Sequence, residues 1–67
     1  MTTNDNLDAL RFYQRRGFRL VALRPGAVDE SRVSLKPQIG VSGDFEIPLR
    51  DELELELRLA ARSTFRV

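Results

Sequence analysis

Tyr13 is the side chain of this sequence best suited to move a proton. A phenol with a pKa of about 10 keeps its proton at neutral pH and can hand it to a developing anion. The same residue on a helix serves equally well as a core aromatic whose hydroxyl reaches the surface. A second group with chemical potential is Glu52, Glu54 and Glu56, spaced two apart. On a strand they share one face, as candidate bases or metal ligands. Opposite a row of leucines, however, the pattern is expected to be a solvated face. Cysteine and histidine are both absent. That excludes a thiol nucleophile, a disulfide framework, thiolate zinc sites and triads built on histidine.

Tyr13 needs an element to hold it, and the stretch from Asn4 to Phe18 supplies one. Asn4, Asp5 and Asn6 have short polar side chains that accept hydrogen bonds from the free N–H groups opening a helix. Arg15 and Arg16 fall in the last turn, where positive charge suits the carbonyl end, and Gly17 can take the left-handed conformation that ends it. At about 100° per residue, Ala9, Leu10, Phe12 and Tyr13 occupy one broad arc with Leu7 at its margin. Asp8, Arg11 and Arg15 cluster opposite. The pattern predicts a helix over about 5–16 with one side packed on a sheet.

The spacing Asn6, Ala9, Tyr13, Gly17-Phe18 resembles the acetyl-CoA-binding segment near the C-terminal end of the GNAT family of N-acetyltransferases. In that family the asparagine follows the fifth strand, the alanine and tyrosine lie on the next helix, and Gly-Phe turns the chain into the sixth strand. The resemblance implies acetyl-CoA as cofactor and acetyl transfer to an amine acceptor as the reaction. It implies Asn6, Ala9 and Tyr13 as cofactor contacts, with Asn6 beside the pantetheine arm. Tyr13 is then the catalytic residue, protonating the departing thiolate. No metal is implied. Asn6 keeps a second role as helix cap, and Ala9 and Gly17 are also explained by close packing and the helix stop.

Two parts of the family pattern are missing. No Arg/Gln-x-x-Gly-x-Gly/Ala loop is present to hold the CoA pyrophosphate on backbone N–H groups at a helix start, a use the helix N-terminus favours. Only Met1, Thr2 and Thr3 stand where the pattern has a full hydrophobic strand. The expectation is a truncated GNAT relative, inactive alone, with Met1 a start site inside a longer coding region. The missing N-terminal half would come from there or from another chain.

Beyond the helix, Phe18 to Arg24 is a compact apolar run ended by Pro25-Gly26, which predicts a strand over about 18–24. Simple alternation would place Phe18, Leu20 and Ala22 on one face and Val21 and Leu23 on the other. Residues 25–50 read as a long loop broken by Pro37, Gly40, Gly43 and Pro48, with Ala27 to Leu35 either loop or a short helix. Such a connection is a substrate-contacting loop or a mobile linker. Glu52 to Leu59 alternates without a fault, giving a strand over about 52–59 with four leucines on one face. A hairpin with 18–24 is its natural pairing. Ala60 to Val67 extends that strand, packs Phe65 on a neighbour, or frays.

A chain of 67 residues makes at most one domain, and one this small buries only about 60% of its unfolded surface. The fold class is α+β: a C-terminal GNAT fragment with one main helix on an antiparallel strand pair. The exposed leucine face and strand edges predict a homodimer or higher oligomer, the alternative being a non-catalytic homodimeric interaction module. Eleven basic and ten acidic residues are interspersed, which gives nucleic-acid binding no support. No apolar run reaches the ~20 residues of a membrane span, so a cytoplasmic protein is expected.

Overall fold

The alternation of glutamate and leucine places a nine-residue strand, β3 (Glu52–Ala60), at the centre of the sheet. The computed structural model describes all residues, Met1–Val67. Along one side of β3 runs β2 (Arg19–Arg24), antiparallel, with Arg19 opposite Glu56 and Arg24 opposite Glu52. The other side is shared end to end by β1 (Thr2–Thr3), opposite Leu53 and Glu52, and β4 (Ser63–Arg66), opposite residues 56–60. With helices α1 (Leu7–Arg15) and α2 (Ala27–Ser34), the chain is a small α+β protein with a four-stranded antiparallel sheet. That is two strands more than the expected strand pair, and α2 falls where the sequence leaves Ala27 to Leu35 open between loop and short helix.

A β-bulge changes the assignment of faces in β2. Leu20 pairs with Leu55, but Ala22 pairs with Glu54, so Val21 is the extra residue. Directly opposed residues share a face, and the bulge restarts the alternation. Leu20 and Leu23 therefore join the leucine face while Ala22 moves to the glutamate face, correcting the simple reading. The end of the chain neither frays nor continues β3. It turns back as β4, and Val67 and Leu55 exchange both backbone hydrogen bonds at 3.0 Å.

Helix α1 begins at Asn6, whose Oδ1 accepts from the Ala9 N–H at 3.0 Å. It ends in a Schellman motif: the Phe18 N–H donates to the Tyr13 carbonyl and the Gly17 N–H to that of Gln14. Gly17 has a φ of 95°, a conformation that a side chain would strain. The helix end lies over the leucine face, since a Cβ on Gly17 would meet Leu57 Cδ1 at 3.5 Å.

The segment between β2 and β3 is ordered by side chains that accept or donate across long sequence distances. Gly26 opens α2 and donates its N–H to Asp51 Oδ1 at 2.7 Å, and the Arg50 carbonyl accepts from Val28 at 2.8 Å. Arg32 then reaches from α2 to the Ile39, Gly40 and Leu49 carbonyls at 2.9, 2.7 and 2.8 Å while pairing with Asp29. One short 3-10 turn, Asp44–Glu46, displays Phe45 to solvent with both Phe45 and Glu46 at positive φ.

Cover over the sheet is thin. Only Leu55 and Val28 are buried apolar residues, while Leu20, Leu23, Leu59 and Phe65 are each about half exposed or more. Leu53, Leu55 and Leu57 share a face as expected, but Leu59 is the extra residue of a second irregularity, since Arg58 pairs with Thr64 and Ala60 with Ser63, and it lies beyond the end of β2. The accessible surface is 5082 Å², against about 4,300 Å² for a globular protein of this mass. The radius of gyration is 13.3 Å, against about 11 Å for a compact domain of this length.

Candidate functional site

On α1, Asn6, Ala9, Tyr13 and the following Gly17 fall within one arc of about 80° at 100° per residue, with Leu10 about 20° beyond its edge. Asn6 spends its Oδ1 on the cap. Its Nδ2 makes no hydrogen bond within the chain, and since no buried polar side-chain atom lacks a partner, that amide is open to solvent. Capping thus occupies Oδ1 and leaves Nδ2 without a partner in the chain. The Tyr13 ring lies edge-on between Phe12 and Phe18, with centroids at 5.2 and 5.1 Å. The phenol is oriented by two aromatic neighbours, and its hydroxyl is likewise unpartnered and open to solvent. Arg16 covers the outer face of Phe12, with Cζ 3.5 Å from the ring centroid.

Asn4 and Asp5 have roles that the capping pattern hides. Asn4 Oδ1 accepts from the Arg50 and Asp51 N–H groups, both at 3.0 Å, and its Nδ2 donates to the Pro48 carbonyl at 2.8 Å. The Asp5 carboxylate is buried and accepts from the Thr3 hydroxyl at 2.5 Å and the Asp44 N–H at 2.8 Å. Gly43 packs so tightly on Asp5 that a Cβ would collide with it. Of three consecutive cap-forming residues, one caps the helix and two fasten the loop leading into β3 beneath it. The one available signal was the excess, because a helix start needs only one such residue.

Burial acts to raise the Asp5 carboxyl, but the Thr3 hydroxyl, the Asp44 N–H and its own backbone N–H outweigh it and hold it below the ordinary carboxylate value. A depressed carboxyl stabilises the fold above the unfolded pKa of about 3.9, and the contribution vanishes as pH falls through the folded value. Melting followed against pH is expected to show Asp5→Asn below the parent at pH 7. The two curves should converge on acidification, and a constant gap would contradict the role given to the charge.

The glutamate row is not a free solvated face. Glu54 accepts from Arg24 at 2.7 Å and Arg66 at 3.2 Å, and Arg66 also pairs with Glu56 at 3.2 Å. The Glu54 and Glu56 side chains are only 14% and 19% exposed. The Arg24 hydrogen bond, together with the Arg24 and Arg66 charges, lowers the Glu54 carboxyl despite some burial. A general base works best with a pKa near the operating pH, so Glu54 is a cross-strand tie and a poor base. The row does not gather into a three-carboxylate metal cluster. Neither helix is long and apolar enough to cross a membrane.

Two Bacillus subtilis proteins, both described as uncharacterized, are similar to this chain. YxbD is 53% identical over 55 residues, which is 82% of this chain and 34% of that protein. YdhI is 45% identical over 53 residues, 79% of this chain and 32% of its own length. The chain therefore spans about a third of the length of the curated relatives it matches. No family model matches the sequence. No solved structure matches it either.

Proposed function

We propose that this chain is the C-terminal portion of a GNAT-type N-acetyltransferase fold, carrying part of the acetyl-CoA contact surface and inactive by itself. The observation that carries the reading is the α1 arc: an open Asn6 amide and an open Tyr13 hydroxyl, with the small Ala9 between them on one helix face. The order of elements supports it, since strand β1 precedes Asn6 and Gly17-Phe18 leads into β2. Bound acetyl-CoA supplies an activated acetyl group for an amine acceptor. Asn6 Nδ2 would donate to the pantetheine arm, Ala9 would let that arm approach the helix, and the Tyr13 hydroxyl would give its proton to the departing thiolate. The pyrophosphate anchor and the base that takes the amine proton come from outside these residues, from a preceding segment or another chain. The setting proposed is cytoplasmic.

A second reading, a homodimeric interaction module that keeps the packing without the chemistry, is favoured by the half-exposed leucine face. One sample separates them. Calorimetric titration with CoA, with light scattering on the same dilute protein, is expected to give heat at millimolar CoA. Binding should survive Tyr13→Phe, because the phenol acts on the leaving sulfur and the hold lies elsewhere. A dimer with no heat and no thermal shift overturns the first reading in favour of the second, and a well-folded monomer refutes the second.

A further inference from the structure

Strand β3 is longer than its neighbour on one side. Its pairing with β2 stops at Glu56, while β3 runs on to Ala60. Leu55 exchanges hydrogen bonds with Val67 on the β4 side, and strand backbone groups alternate sides. The N–H and C=O of Arg58 therefore point to the other side, where no strand lies. Beside this open edge is a cleft of about 510 Å³ lined by Arg19, Leu20, Val21, Glu56, Leu57 and Arg58, with Gly17 contributing no side chain. Arg19 stands opposite Glu56 and Arg58 follows two residues along β3, so both arginines share the glutamate face. On that face Arg24 and Arg66 are held by Glu54 and Glu56. Arg19 and Arg58 make no ion pair within the chain, although Arg19 stands opposite Glu56, whose Oε2 meets Arg66.

The geometry points to an interaction surface for an acidic extended peptide, which adds as a short strand to the open edge of β3 and places its carboxylates on Arg19 and Arg58. An unpaired edge is a template for another strand. The face of such a peptide toward Arg19 and Arg58 carries carboxylates, and its alternate residues meet the apolar side of the cleft at Leu20 and Leu57. The inference is independent of the acetyl-CoA reading, since neither Asn6 nor Tyr13 takes part.

Fluorescence anisotropy of the full chain with a labelled Glu-Val-Glu-Val-Glu peptide tests it, with the lysine-for-glutamate peptide as comparison. Binding of the acidic peptide alone is expected, weakening with salt. Arg19→Glu with Arg58→Glu should weaken it at least ~10-fold, whereas Arg62→Glu in the exposed β3–β4 turn should leave it unchanged. If the double reversal unfolds the chain, Arg19→Gln with Arg58→Gln keeps the side-chain stems and should act in the same direction. Three results overturn the inference: no binding of the acidic peptide, equal loss with Arg62→Glu, or displacement by succinate as effective as by unlabelled peptide, which would mean a simple anion site.

Discussion

Replacing Leu55 with alanine is expected to remove most of the chain's stability. Leu55 has no exposed surface and sits mid-way along the central strand, between β2 and the returning Val67. Truncating a buried leucine costs about 2–5 kcal/mol, because the lost transfer energy is joined by the cavity left behind. At about 0.05–0.15 kcal/mol per residue, a chain this short has only ~3–10 kcal/mol to lose. Leu59→Ala is the control: same residue type, same strand, but 56% exposed. Urea unfolding should show a loss under ~1 kcal/mol there, as for other exposed substitutions. Equal effects at the two positions would mean that the leucine face is covered in solution beyond what one chain supplies.

Arg32→Ala should act on a different part of the molecule. The guanidinium is the common partner of three carbonyls, those of Ile39, Gly40 and Leu49, and its side chain is only 16% exposed. Hydrogen bonds from a charged donor are worth about 1.5–3 kcal/mol each, and removal leaves several acceptors without a partner at once. Hydrogen exchange is expected to lose protection from Lys36 to Leu49 while the β2–β3 ladder retains it, as a sub-global opening. Lysine should not rescue the position, since a single ammonium cannot reproduce a planar fork that serves three acceptors and Asp29. Uniform loss of protection throughout the chain would contradict the assignment of Arg32 to this segment alone.

What could be read from the sequence follows from how far each residue's partner lies along the chain. Helix α1 was legible because Asn6, Ala9, Gln14 and Gly17 complete their bonds within a few residues. β3 was legible because alternation is a local pattern. The bulge at Val21 was not, since it exists only in the register against Glu54 and Leu55. The row expected to be a solvated face is an ion-pair ladder instead, because β4 folds back and sets Arg66 beside Glu54 and Glu56. The same limit applies to the candidate site. Spacing alone put Asn6, Ala9 and Tyr13 on one arc, but it could not separate Asn6 the cap from Asn4 and Asp5 the loop clamps, whose partners lie about forty residues away.

The acetyl-CoA reading is tested most directly residue by residue. In ¹⁵N-labelled chain titrated with millimolar CoA, the account predicts shifts in the Asn6 side-chain amide and in the backbone amides of Ala9 and Tyr13. Amides of β4 should stay in place. Unmoved signals at all three positions, or shifts confined to other parts of the chain, would contradict it.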